Sequence, residues 1–142
     1  MYCVAIGGSA AAFSEDVIAI AIGHLAGKKK EQNNSIAIGK SAAENLQESY
    51  CIAIGDSAGK INQGTGGGYS IAIGADAGYT GQGDWTVAIG NDAGRTNQGD
   101  HGIAIGLEAG FQNQGIGSIA IGNKAGNLAI GQEFFTSLAF YH

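Results

Sequence analysis

Few residues in this chain are of types that do chemistry, and their spacing argues against a catalytic or metal centre. The histidines are His24, His101 and His142, and the cysteines are Cys3 and Cys51. A general base must lie within hydrogen-bond reach of its partner. Only His101 has an acid beside it, Asp100, and that pair reads as a solvated corner. Gly64-Thr65-Gly66-Gly67-Gly68 is glycine-rich, but no Lys-Ser or Lys-Thr follows it, so it is no phosphate-cradling loop. Asp76, Asp84, Asp92 and Asp100 are spread along the chain without the glycine-aspartate nonapeptide that binds calcium. No metal, cofactor or catalytic residue is expected. The aromatic side chains offer more. Tyr50, Tyr69, Trp85 and His101, with Glu48, Asp84 and Asp100 nearby, form a candidate receptor contact. Exposed rings beside acids can grip a glycan or a protein. The alternative is that these rings pack over a corner and cover the edge of the fold.

These residues are placed by a repeat. The pattern apolar-Ala-Ile-Gly-x-x-Ala occurs eight times, with its first glycine at 7, 23, 39, 55, 74, 90, 106 and 122. The step from one glycine to the next is constant at sixteen, apart from the single step of nineteen between Gly55 and Gly74. Numbered from that glycine, position −1 is always Ile, −2 is always Ala and −3 is Ile or Val. Large-small-large at period two is a strand signature, since alternate side chains point to opposite faces. Ile at i and i+2 does not share a helix face. The glycine then ends the strand in a turn with positive φ. Position +3 is Ala throughout, and +8 is Gln in five repeats: Gln47, Gln63, Gln82, Gln98 and Gln114. A second, flatter strand is expected over roughly +3 to +8, with a second corner over +9 to +12.

Two short strands and two corners within one such period make one coil of a parallel β-solenoid, whose equivalent positions stack in ladders. The expected fold is therefore all-β: a β-roll of about eight 16-residue coils over residues 1–131. A C-terminal cap or junction to a following segment is expected over 132–142. The Ile and Val columns are expected inside. The Gln column is expected to form an amide ladder running up the wall. The extra residues of the longer step, around Gly64–Gly68, are expected in the second corner, where an insertion disturbs no strand. Cys3 and Cys51 hold equivalent positions three coils apart, about 14 Å at the usual strand spacing. That exceeds the roughly 7 Å a disulfide tolerates, so no bridge is expected between them.

The −2 column is never charged. A solvent-facing strand would more often carry Lys, Glu or Thr. An alanine strip is what a closely packed second chain requires, so Ala37, Ala53, Ala72, Ala88, Ala104 and Ala120 are the expected subunit interface, most simply around a threefold axis. The bulk properties limit the other partners. A net charge of −5 disfavours nucleic acid, which needs clustered Lys and Arg. The one basic run, Lys28-Lys29-Lys30, is followed at once by Glu31. No apolar run approaches a membrane span, so no membrane insertion is expected. Met1-Tyr2-Cys3-Val4 runs straight into the first repeat, so the expectation is export without a cleaved signal, a piece of a longer chain, or assembly inside a host cell as viral proteins are.

Ser35-Ile36-Ala37-Ile38-Gly39 and Ser70-Ile71-Ala72-Ile73-Gly74 resemble the Asn-Ser-Val-Ala-Ile-Gly repeats of trimeric autotransporter adhesin heads, the YadA-like left-handed parallel β-roll. Similar repeats occur in fibre-like proteins of large DNA viruses and phages. The resemblance covers residues 3–126. It implies a homotrimer of left-handed rolls with Ile and Val inside each roll and small residues toward the axis. It further implies a non-enzymatic head or shaft of a surface fibre, on a virion or a bacterial cell surface, binding a host surface protein or glycan. Ile54-Gly55-Asp56-Ser57-Ala58 also resembles the hexapeptide repeat of left-handed β-helix acyltransferases. Those coils are built from three hexapeptides each, a longer period than this one, whereas this chain offers one match per coil.

Overall fold

The computed structural model describes residues 2–11, 18–31, 33–127 and 138–140. In chain order the strands are β1 (Tyr2–Ile6), β2 (Ile18–Ile22), β3 (Lys29–Glu31), β4 (Ser35–Ile38), β5 (Asn45–Gln47), β6 (Ile52–Ile54) and β7 (Ile61–Gln63). They continue with β8 (Ile71–Ile73), β9 (Thr80–Gln82), β10 (Val87–Ile89), β11 (Thr96–Gln98), β12 (Ile103–Ile105), β13 (Ile119–Ile121) and β14 (Leu138–Phe140). They form two parallel sheets. One has nine strands in the order β1-β2-β4-β6-β8-β10-β12-β13-β14, and the other has five in the order β11-β9-β7-β5-β3. The chain is thus a parallel β-solenoid of about seven turns with coils of about 16 residues.

Register follows the repeat. Ala72 sits over Ala53 and under Ala88, and Gln63 pairs with Gln82. The longer step between Gly55 and Gly74 keeps this register. Its extra residues leave the coil between β7 and β8, as expected, and Asp84 Oδ1 accepts from Gly66 N–H at 3.2 Å and Gly68 N–H at 3.0 Å. The second strand is shorter than expected and covers +6 to +8 only, because +1 to +4 form a tight corner. That corner needs three residues with positive φ. In the fourth coil they are Gly55 at 136°, Ser57 at 57° and Gly59 at 53°. The repeat glycine is obligatory for a second reason. A Cβ on Gly39 would lie 2.3 Å from the carbonyl oxygen of Gly55 in the next coil.

The expected inside and outside are reversed. Ala37, Ala53, Ala72, Ala88 and Ala104 have no exposed surface, and Ala120 has 3%. They form the core of a single coil stack together with the +3 alanines, among them Ala58, Ala77, Ala93 and Ala109. They are therefore not an exposed strip available to another chain. The Ile and Val columns take the opposite face of the strands and, along the middle of the stack, are partly buried. The cause is space. Each turn joins two three-residue strands through tight corners, and the interior between them already holds the Gln side chains. Methyl groups fit there, and two facing rows of Ile do not.

The Gln ladder forms inside that core. Gln47, Gln63 and Gln82 are fully buried, and Gln98 is 1% exposed. Each Nε2 crosses the coil to donate to the carbonyl at position −3: Gln63 to Ile52 at 2.7 Å, Gln82 to Ile71 at 2.7 Å, Gln98 to Val87 at 2.9 Å. Gln47 Nε2 also donates to Gln63 Oε1 at 2.9 Å, a direct rung of the amide ladder. Position −4 shares the inward parity and is small and neutral: Ser35, Cys51, Ser70 and Thr86 are all buried. Cys3 and Cys51 form no disulfide. Of the tail, β14 adds another rung to the large sheet, with Leu138-Ala139-Phe140 in register on Ile119-Ala120-Ile121. The boundary near residue 131 and most of the expected cap, with His142, lie outside the described residues.

Candidate interaction surface

The solenoid presents three organised outward features. The first is the broad apolar face of the large sheet. Its rows run through Ile36, Ile52, Ile71, Val87 and Ile103 at −3, and Ile38, Ile54, Ile73, Ile89 and Ile105 at −1. Along the middle of the stack these side chains are partly buried. At the ends the cover drops away: Val4 is 49%, Ile6 58% and Ile121 37% exposed. No charged residue interrupts either row. Contiguous apolar surface marks an interaction site where it is large and exposed.

The second feature is the column that gathers the candidate receptor residues. Tyr50, Tyr69, Trp85 and His101 occupy one position in successive coils and stack as plates. The ring centroids lie 4.7, 6.1 and 5.2 Å apart, with interplanar angles of 9°, 7° and 5°. The backbone holds them there. Each has φ between 52° and 61°, and each N–H donates to the preceding coil, as Trp85 does to Gly68 at 3.0 Å and His101 to Asp84 at 2.9 Å. The neighbouring acids serve the backbone. Asp84 caps the glycine loop, and Asp100 Oδ1 accepts from Asp84 N–H at 3.0 Å. Stacking uses up the ring faces between neighbours, so the column offers a row of ring edges and not a set of open platforms. A sugar seated flat on an aromatic face requires such a platform.

The third feature lies on the other corner at position +5, where the sequence pattern was not read. Tyr79 lies between Lys60 and Arg95, and Arg95 lies between Tyr79 and Phe111, each cation 5.5 Å from the ring centroid. Lys60 also pairs with Glu44 at 3.7 Å, and Arg95 with Asp92 at 3.1 Å and Asp76 at 3.9 Å. Partial burial raises the Asp92 carboxyl above the usual carboxylate range, against the opposing pull of Arg95. The alternation of cation and ring at coil spacing (Lys60, Tyr79, Arg95, Phe111) was the available signal.

No family profile matches this chain, and no curated protein or solved structure matches it.

Proposed function

We propose that this solenoid is a non-enzymatic structural module that associates laterally with copies of itself and serves as the head or shaft of a surface fibre. The observation that carries the reading is the outward Ile/Val lattice. It is uncharged and periodic at the coil spacing, and a second copy presents the same lattice at the same spacing. The contact thus moves from the Ala column to the Ile and Val columns one residue away. The homotrimer implied by the adhesin-like repeats is the simplest assembly that turns this face from solvent. A virion surface or a bacterial cell surface remains the proposed location.

The aromatic column borders that face, since Tyr50, Tyr69, Trp85 and His101 each lie two residues before a −3 position. In the fibre reading its edges are the proposed contact with a host surface protein. The acyltransferase alternative has less in its favour, because the described strands build two sheets and each coil offers one hexapeptide match where that family's coil has three. The test is the Ile71→Asp/Ile103→Asp variant, measured by light scattering after size exclusion. A fall in mass with an unchanged β-sheet circular dichroism spectrum supports the lateral contact. An unchanged mass refutes it.

A further inference from the structure

The end of the stack at β1 carries a separate inference, independent of the lateral contact. From Ala21 to Ala120 the −2 alanine of the large sheet is buried, yet Ala5 is exposed, as are Val4, Ile6 and Gly7. β1 is an edge strand, and its sequence Tyr2-Cys3-Val4-Ala5-Ile6 contains no charge and no proline. Folded proteins usually blunt such an edge with charge, proline or a bulge, because an unprotected edge pairs with another strand.

The polarity of the stack says which strand fits. From each coil to the next, the −1 carbonyl accepts from the following repeat glycine, as Ile6 does from Gly23 at 2.7 Å and Ile22 from Gly39 at 2.8 Å. The −3 N–H donates forward, as Ile36 does to Cys51 at 2.9 Å. Alternation along a strand then turns Ala5 N–H and Gly7 N–H away from β2, toward the uncovered side. The other edge of the same sheet is β14, where Leu138 stands at −3 and Phe140 at −1 by its register on β13. The Phe140 carbonyl, by the same parity, faces outward. One end therefore presents the donors that the other end accepts.

We propose that the β1 edge is a docking surface for the β14 edge of a second copy, which adds head to tail and repeats the coil-on-coil contact already made along the chain. Ala5 comes into register with Ala139, and Gly7 N–H donates to the Phe140 carbonyl of the adjoining copy. Such a heterologous contact does not close on itself, so it builds a filament along the solenoid axis.

The experiment uses the full chain. Particle length is followed against concentration by electron microscopy and sedimentation velocity, for the wild type and for Ala5→Pro. Proline removes an edge donor that points away from β2, which an edge strand tolerates. Ala5→Lys is the second variant, since it places a charge in the end surface without touching the backbone. Wild-type particles lengthen in multiples of one chain, roughly 43 Å for nine strands at about 4.8 Å. Both variants keep the native circular dichroism spectrum and need at least about a tenfold higher concentration to lengthen, a change of about 1.4 kcal/mol. Ile71→Asp/Ile103→Asp keeps lengthening, which separates this contact from the lateral one. Wild-type length that is independent of concentration overturns the proposal. So does lengthening that is unchanged in a natively folded Ala5→Pro or Ala5→Lys chain.

Discussion

The two sides of one strand, Val87-Ala88-Ile89, behave in opposite ways. Ala88 is fully buried between Ala72 and Ala104, while Val87 and Ile89 face outward and are half-buried. In most proteins the larger apolar side chain takes the interior. Here the interior takes the smaller one, because its width is set by three-residue strands and by the glutamines that span it. Hydrophobicity ranks the side chains, but the volume available decides which face turns inward. The larger residues are left on the outer face of the strand.

Substitutions can break this comparison, and the largest effect is expected inside. Ala88→Leu overpacks a site whose neighbours cannot withdraw, and about 3 kcal/mol of stability is lost. Ile89→Ala removes more apolar volume but leaves no internal cavity, and less than about 1 kcal/mol is lost in a chain kept as a monomer. Denaturant midpoints of the two variants check both values. The reverse order of effects would restore Ile to the core.

Gln63→Leu comes next. It removes the Gln63 donor from the Ile52 carbonyl and one of the two acceptors of the Gln47 amide, which keeps the Ile36 carbonyl, at about 2 kcal/mol by the same measurement. A smaller loss belongs to the outer edge. Trp85→Ala breaks the stack on Tyr69 and His101 and lowers stability by about 1 kcal/mol.

A pH dependence adds a further check. Burial raises the Cys51 thiol from 9.0 to about 11, with Asp84 and Glu48 adding to the shift. The folded state therefore favours the protonated form. Its contribution is fully present below the unfolded value and is lost as pH rises from about 9 to about 11. Cys51→Ser, matching Ser35 and Ser70 at the same position, removes this slope and changes stability at pH 7 by less than about 1 kcal/mol. Melting temperature against pH for the two chains tests it.

Much of this fold was legible in the residues. The constant step between repeat glycines, the parallel stacking, the register of Ala on Ala and the location of the Gly64–Gly68 insertion all follow from spacing alone. Spacing also distinguished the two faces of the strand, but it could not say which face was inside. Alternation fixes parity, and the choice of side depends on the distance between walls, a property of the closed coil. One local clue existed. Positions −4, −2, +3 and +4 are nearly all small, which is the pattern of a narrow interior. Gln at +8 reads from its spacing as an amide ladder running up the wall, but spacing does not say that the ladder lies in the core. It is buried because each amide finds a carbonyl across the coil. The aromatic column was found because its residues are conspicuous, whereas the +5 column mixes cations and rings and shows its logic only when stacked.

The central claim is that the outward Ile/Val face is the contact between copies. Its most direct test is the native mass of the Ala5→Pro chain, in which end-to-end growth is suppressed, measured by light scattering across a hundredfold range of concentration. A mass of three chains of 14.3 kDa is expected, falling to one chain in Ile71→Asp/Ile103→Asp. A single-chain mass at every concentration would contradict it.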